Sequence, residues 1–217
     1  MTRLEERISE LIYPNEVEIA TGRTGAGSAA QELHEVLRRS GLTQSAFAAA
    51  LGTSQPRLST YLSGKVSPSA AFFVRARQLG LALDGLARLH VLSAPALGLA
   101  VRSALSHADE SWAFRLLMQG RDHLQLVLTR HSGLTAGWIA APVATGRVEW
   151  DTVTAGVIGH EFTRAGLDQP SWTRREPLPG GWSFPSALLG PDEVRAATPD
   201  WLARLNIFVP ERDLVTA

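Results

Sequence analysis

The sequence predicts a mainly α protein in two parts: a bundle of short helices, then a second, mostly helical C-terminal domain of unassigned fold. Three observations lead there. Apolar residues recur at helical spacing through much of the chain. Glycines stand just past the ends of those runs, where a helix needs a left-handed residue to turn. And 217 residues exceed what one bundle of about sixty requires, so a second unit is expected. The expected divisions are an N-terminal helix and linker at 1–27, a helical bundle at 28–90 and a C-terminal domain at 91–217.

Taken in order, "RLEERISELIY" places Leu4, Ile8, Leu11 and Ile12 on one face of a short amphipathic helix. The following "TGRTGAGS" has the glycine spacing of a phosphate-binding loop but no lysine, which leaves the outer phosphates without their charge partner. It reads instead as a linker closed by a capping box of Ser28 and Gln31, with Arg23 placed like a basic arm. A first helix over about 29–40 then buries Leu33, Val36 and Leu37.

The informative stretch is "LTQSAFAAALGTSQPRLSTYLSGK", Leu42 to Lys65. Thr43 can cap a helix that buries Phe47, Ala48 and Leu51 and stops at Gly52. The next helix, about 54–63, has only Leu58 and Leu62 to bury, while Gln55, Arg57, Ser59 and Thr60 point elsewhere. Two helices joined by a short glycine turn, the second presenting hydrogen-bonding side chains, is the arrangement that carries a recognition helix into the major groove. A further helix follows from Pro68, with Phe72, Phe73, Ala76 and Leu79 on its apolar face, and the bundle is expected to end at Gly85 or shortly beyond.

These residues resemble the helix-turn-helix of the lambda-repressor-like, Xre-type DNA-binding family. The likeness rests on Leu-Thr-Gln, Leu-Gly, Thr-Ser-Gln, the buried leucine, and Tyr-Leu-Ser-Gly-Lys followed by a proline, and spans about 28–85. The resemblance implies a lambda-repressor-like bundle that binds an operator, commonly as a homodimer. It implies that Gln44 bonds a phosphate and braces Gln55, and that Gln55 reads adenine through its amide. Arg57, Thr60 and Ser54 are expected at the same base edges, and Thr53, Ser59 and Lys65 at phosphates. Pro56 departs from the polar residue often found at its position and removes one base-reading side chain.

Charge agrees in direction. The chain is neutral overall, but from Ser28 to His90 seven basic residues face three acidic ones, a local excess of +4. That excess suits phosphate contact and is small enough that dimerisation would be needed to strengthen it.

The C-terminal part holds all six tryptophans. Its clearest helix is "DESWAFRLLMQGRDHLQLVLTR", interrupted by Gly120, with Trp112, Leu116, Leu117, Leu124 and Leu128 as core positions. A second, "WDTVTAGVIGHEFTRAG", is expected to be capped near Asp151 and closed by Gly166. The Pro/Gly-rich stretch after it excludes long regular elements, and short helices return at 191–197 and 199–205. Trp172 and Trp182 lie in that irregular stretch and are the candidates for a partner or small-molecule surface.

Enzyme chemistry finds no foothold in the pattern. His160 and Glu161 lack a second histidine at the required spacing, since Arg164 stands there. The absence of cysteine removes thiolate ligands and nucleophiles. With Lys65 the sole lysine, a serine–lysine self-cleaving tail is excluded by composition. No metal, cofactor or catalytic residue is therefore expected. A cytoplasmic transcriptional repressor with a dimerising or effector-sensing tail is the expected function. The alternative is an antitoxin whose tail neutralises a toxin protein and whose head autoregulates its operon.

Overall fold

The computed structural model describes residues 24–185 and 188–214. The amphipathic helix expected around Leu4 to Ile12 and the arm residue Arg23 lie outside these. The first four helices are α1 (Thr24–Ser40), α2 (Gln44–Ala50), α3 (Gln55–Leu62) and α4 (Ala70–Arg88). They enclose a core of Leu33, Phe47, Ala48, Leu58, Leu62, Phe72, Ala76, Leu79 and Leu83. The phenylalanine, alanine and leucine spacings read from the sequence supply nearly all of it.

Beyond the head come α5 (Ala94–Ser106), α6 (Glu110–Arg130), a 3-10 turn at Ser132–Leu134, α7 (Ala136–Ile139) and α8 (Val148–Arg164). The irregular part holds 3-10 turns at Ser171–Thr173 and Glu211–Leu214, the short helices α9 (Pro191–Ala196) and α10 (Asp200–Ala203), and strands β1 (Trp182–Ser183) and β2 (Ile207–Phe208). The strands pair in parallel, Trp182 opposite Ile207 and Ser183 opposite Phe208. This second core is built on Leu97, Val101, Leu117, Leu124, Trp138, Trp150, Ile158, Phe162, Leu202 and Ile207. Mainly α architecture, with short elements where proline and glycine concentrate, is as the sequence predicts. Among the described residues no helix is long and apolar enough to cross a membrane.

The two cores share helix α4. Its Leu79 and Leu83 belong to the head core and its Leu86 to the tail core, while Ala140, just after α7, packs into the head. A Cβ on Gly137 would lie 2.6 Å from Leu86 Cδ1, and one on Gly85 would lie 2.7 Å from Leu134 Cδ2. Both glycines therefore mark places where the tail closes onto α4, and α4 runs through Gly85 to Arg88, shortly beyond the glycine.

Several expected element boundaries are corrected. Helix α1 begins at Thr24, so Ser28 is an exposed residue inside it and not the N-cap of a capping box with Gln31. Helix α1 packs closely on α4, where a Cβ on Gly80 would meet Val36 Cγ1. Helix α6 is unbroken at Gly120, where a Cβ would stand 2.6 Å from Leu97 Cδ2; the glycine admits α5 rather than ending α6. Trp112, expected in the core, is 46% exposed, with the Arg115 guanidinium 5.3 Å from its ring centre. The buried stripe of α6 runs instead through Ala113, Leu117, Gly120, Leu124 and Val127, one position away from Trp112. Helix α8 starts at Val148; the Asp151 carboxylate is not its cap but accepts from the Thr145 amide and hydroxyl, both at 2.8 Å. The glycine closing α8, Gly166, has φ +71° as expected.

Candidate nucleic-acid interface

Thr43 Oγ1 accepts from the Ala46 amide at 3.2 Å and starts α2. The helix ends in a Schellman turn: Thr53 N donates to Ala48 O at 2.9 Å and Gly52 N to Ala49 O at 3.0 Å, with Gly52 at φ +67°. One residue on, Ser54 Oγ accepts from Arg57 N at 3.3 Å and starts α3. Both turns of backbone are thus fixed by short-range hydrogen bonds that the sequence spells out. What orients α3 is burial: Leu58 is fully buried and Leu62 nearly so, against Ala48 and Phe47 of α2 in one core.

The opposite face of α3 is left to solvent. Gln55, Pro56, Arg57 and Ser59 are exposed, Thr60 is half-buried, and Lys65 is exposed in the turn after the helix, beside Gly64 at φ +69°. The residues expected to touch DNA therefore stand together on α3 and its flanks, with Gln44 and Thr53 half-buried at the two ends of α2. Two of them are partly committed elsewhere. Ser54, placed among the base readers, uses its oxygen to cap the helix. Thr60 Oγ1 donates to Arg57 O at 2.7 Å, which leaves its methyl and lone pairs for a partner. The brace between Gln44 and Gln55 is not formed: among the described residues no hydrogen bond joins them.

One residue of this site lies outside the sequence reading. Tyr61, not counted with Leu58 and Leu62 as buried, is 6% exposed and packs its ring at 5.0 Å from Phe72. Its hydroxyl accepts from Arg57 Nε at 2.8 Å. That bond holds the arginine along the helix and leaves its terminal nitrogens free. The signal was present as the four-residue spacing of Arg57 and Tyr61, which brings helical side chains together. Tyr61→Phe keeps the ring packing and removes the acceptor. It is expected to leave thermal stability nearly unchanged while weakening binding to cognate DNA by about 0.5–1.5 kcal/mol, read by fluorescence anisotropy. Unchanged affinity would show that Arg57 needs no support.

Elsewhere His123, His160 and Glu161 are held by contacts within the fold. His123 Nδ1 accepts from Leu92 N at 2.9 Å, and burial holds its pKa below the ordinary histidine value. His160 is likewise lowered by burial and stacks on Trp201 with ring centres 4.2 Å apart. Glu161 is buried and paired with Arg164 at 2.9 Å, so the residue that broke the metalloprotease spacing occupies the glutamate. Among the described residues no cluster of histidine and carboxylate could hold a metal ion. Trp172 and Trp182 are half-buried: Trp172 Nε1 donates to Trp138 O at 3.4 Å, and Trp182 meets Trp150 edge-on at 5.5 Å.

A capped two-helix unit with a glycine turn and a polar outer face defines a helix-turn-helix domain. Residues 29–90 match the family model described as a helix-turn-helix domain, in keeping with the Xre-type resemblance of that part of the chain. No curated protein and no solved structure matches the chain.

Proposed function

We propose that the protein is a sequence-specific transcriptional repressor that binds an inverted repeat as a homodimer, with the bundle of 28–90 as its DNA-binding domain and 91–217 as the domain that dimerises or senses. The observation that carries this reading is the division of α3: Leu58, Tyr61 and Leu62 inward, Gln55, Arg57 and Ser59 outward on a helix fixed at its start by Ser54. Gln55 has the amide that pairs with adenine N6 and N7, and the free terminal nitrogens of Arg57 match guanine O6 and N7. Pro56 offers apolar contact to a thymine methyl. Ser59, Thr53, Gln44 and Lys65 take the phosphates that fix register.

Base readers and phosphate grips fail differently, and binding titrations across salt on a selected operator and a scrambled duplex separate them. Gln55→Ala or Arg57→Ala is expected to cost about 1–3 kcal/mol on the operator alone. Lys65→Ala is expected to weaken both duplexes alike and to reduce the salt slope by about one unit. Equal losses on both duplexes for the two α3 variants would remove sequence reading from this helix.

A single bundle with a net charge of +4 offers few contacts, and two bundles on half-sites about one helical turn apart supply the remainder. Light scattering at micromolar concentration is expected to give a dimer on operator DNA. A monomer both free and bound would overturn the homodimer.

A further inference from the structure

Between head and tail lies a cleft of about 300 Å3 that DNA reading does not use. The end of α2 and its turn contribute Ala49 and Gly52, α4 contributes Arg75 and Gln78, α7 contributes Ile139, and the turn after α8 contributes Trp172. The lining is mainly apolar, and Ile139 is 56% exposed there, a cost in water that an occupant would relieve. No carboxylate lines the cleft, and Arg75 carries its one formal charge. That arginine has no ion-pair partner among the described residues, its guanidinium carbon lying 6.0 Å from the Phe72 ring centre.

An apolar wall beside a single guanidinium is complementary to a molecule with an apolar body and one anionic end, and the volume is at the small end of small-molecule sites. We infer that the cleft binds a small aromatic or aliphatic carboxylate. Its body lies against Ile139 and Trp172, its carboxylate pairs with Arg75, and the Gln78 amide is placed to donate a second hydrogen bond. Such a molecule touches the tail and the helix-turn-helix turn at once, two residues before the Ser54 cap of α3. Its effect on operator affinity rests on the reading of α3 given above; its binding does not.

The test is calorimetric titration of the full chain with benzoate and with octanoate, against benzyl alcohol as the neutral analogue and potassium chloride at equal ionic strength. Saturable one-site binding of at least one carboxylate is expected, at least about tenfold weaker for benzyl alcohol and for Arg75→Gln. Ala49→Phe, which fills the cleft from an exposed position, is expected to abolish it. Both substituted residues are exposed, and unchanged melting confirms the fold of each variant. Heats that follow ionic strength alone, no saturation by about 10 mM of either carboxylate, or wild-type affinity in both variants would overturn the site. Titration of the same proteins with operator, without carboxylate, reads the DNA function separately. Intact DNA binding with no carboxylate binding would sink this inference and leave the repressor standing. The reverse result would sink the repressor and leave the cleft.

Discussion

Trp150→Ala is expected to cost about 3–5 kcal/mol, the range for emptying a large aromatic site in a packed core. Trp150 is fully buried, at 5.5 Å from the Trp182 ring centre and 6.0 Å from that of Phe184, both edge-on. The indole is the surface on which β1 and the chain after it rest, so its loss undermines the strand pair as well as the core. Its own Nε1 is buried without a hydrogen-bond partner among the described residues. Trp150→Phe therefore removes an unsatisfied donor along with the volume, and is expected to cost clearly less than alanine. Thermal melting checks both: for a chain of this size the alanine variant should melt lower by roughly 6–20 °C. A fall of under about 2 °C would mean that the tail is not held from Trp150 outward.

Leu58→Ala is expected to cost about 2–5 kcal/mol, because the side chain is fully buried at the seam where α3 meets α2. The same seam predicts that Ala48, 1% exposed, cannot accept a large polar residue without overpacking. Leu58 also tests how the two units are joined. The head contains no tryptophan, since all six lie at 112 or beyond. Tryptophan fluorescence then reports the tail, and far-ultraviolet circular dichroism reports every helix. With α4 supplying Leu83 to one core and Leu86 to the other, the Leu58→Ala variant is expected to shift both signals together. A loss of helicity that precedes the fluorescence change would show that the head melts alone and that α4 does not couple the cores.

Much of the head was legible because its signals are local. The cap Thr43, the turn at Gly52 and the spacing of Phe47, Ala48 and Leu58 each act within a few residues, so a linear reading finds them; the caps Ser54 and Ser69, equally local, were not read as caps. The exposed face of α3 followed from the same spacing, by subtraction of what must be buried. Tyr61 escaped because its role needs two things at once, burial against Phe72 and a hydroxyl turned to Arg57.

The tail was legible only as helix content. Gly120 looks like a break in a sequence, yet it lies within a continuous helix where Leu97 approaches, as Gly85 lies within α4 where Leu134 approaches. A glycine that ends a helix and one that admits a neighbour are the same residue until the neighbour is in place. Trp112 and Trp150 likewise differ in burial, 46% against 0% exposed, although composition treats them alike. The sequence by itself determined the helix-turn-helix, its first cap at Thr43 and its polar outer face, because those depend on backbone chemistry over three or four residues. Only the tertiary structure decided that α4 serves two cores, that β1 pairs with β2 across 25 residues, and that a cleft lined by Arg75 opens between head and tail. Each of these depends on contacts between distant segments, whose energies come from shape and exclusion of water that no short window of sequence contains.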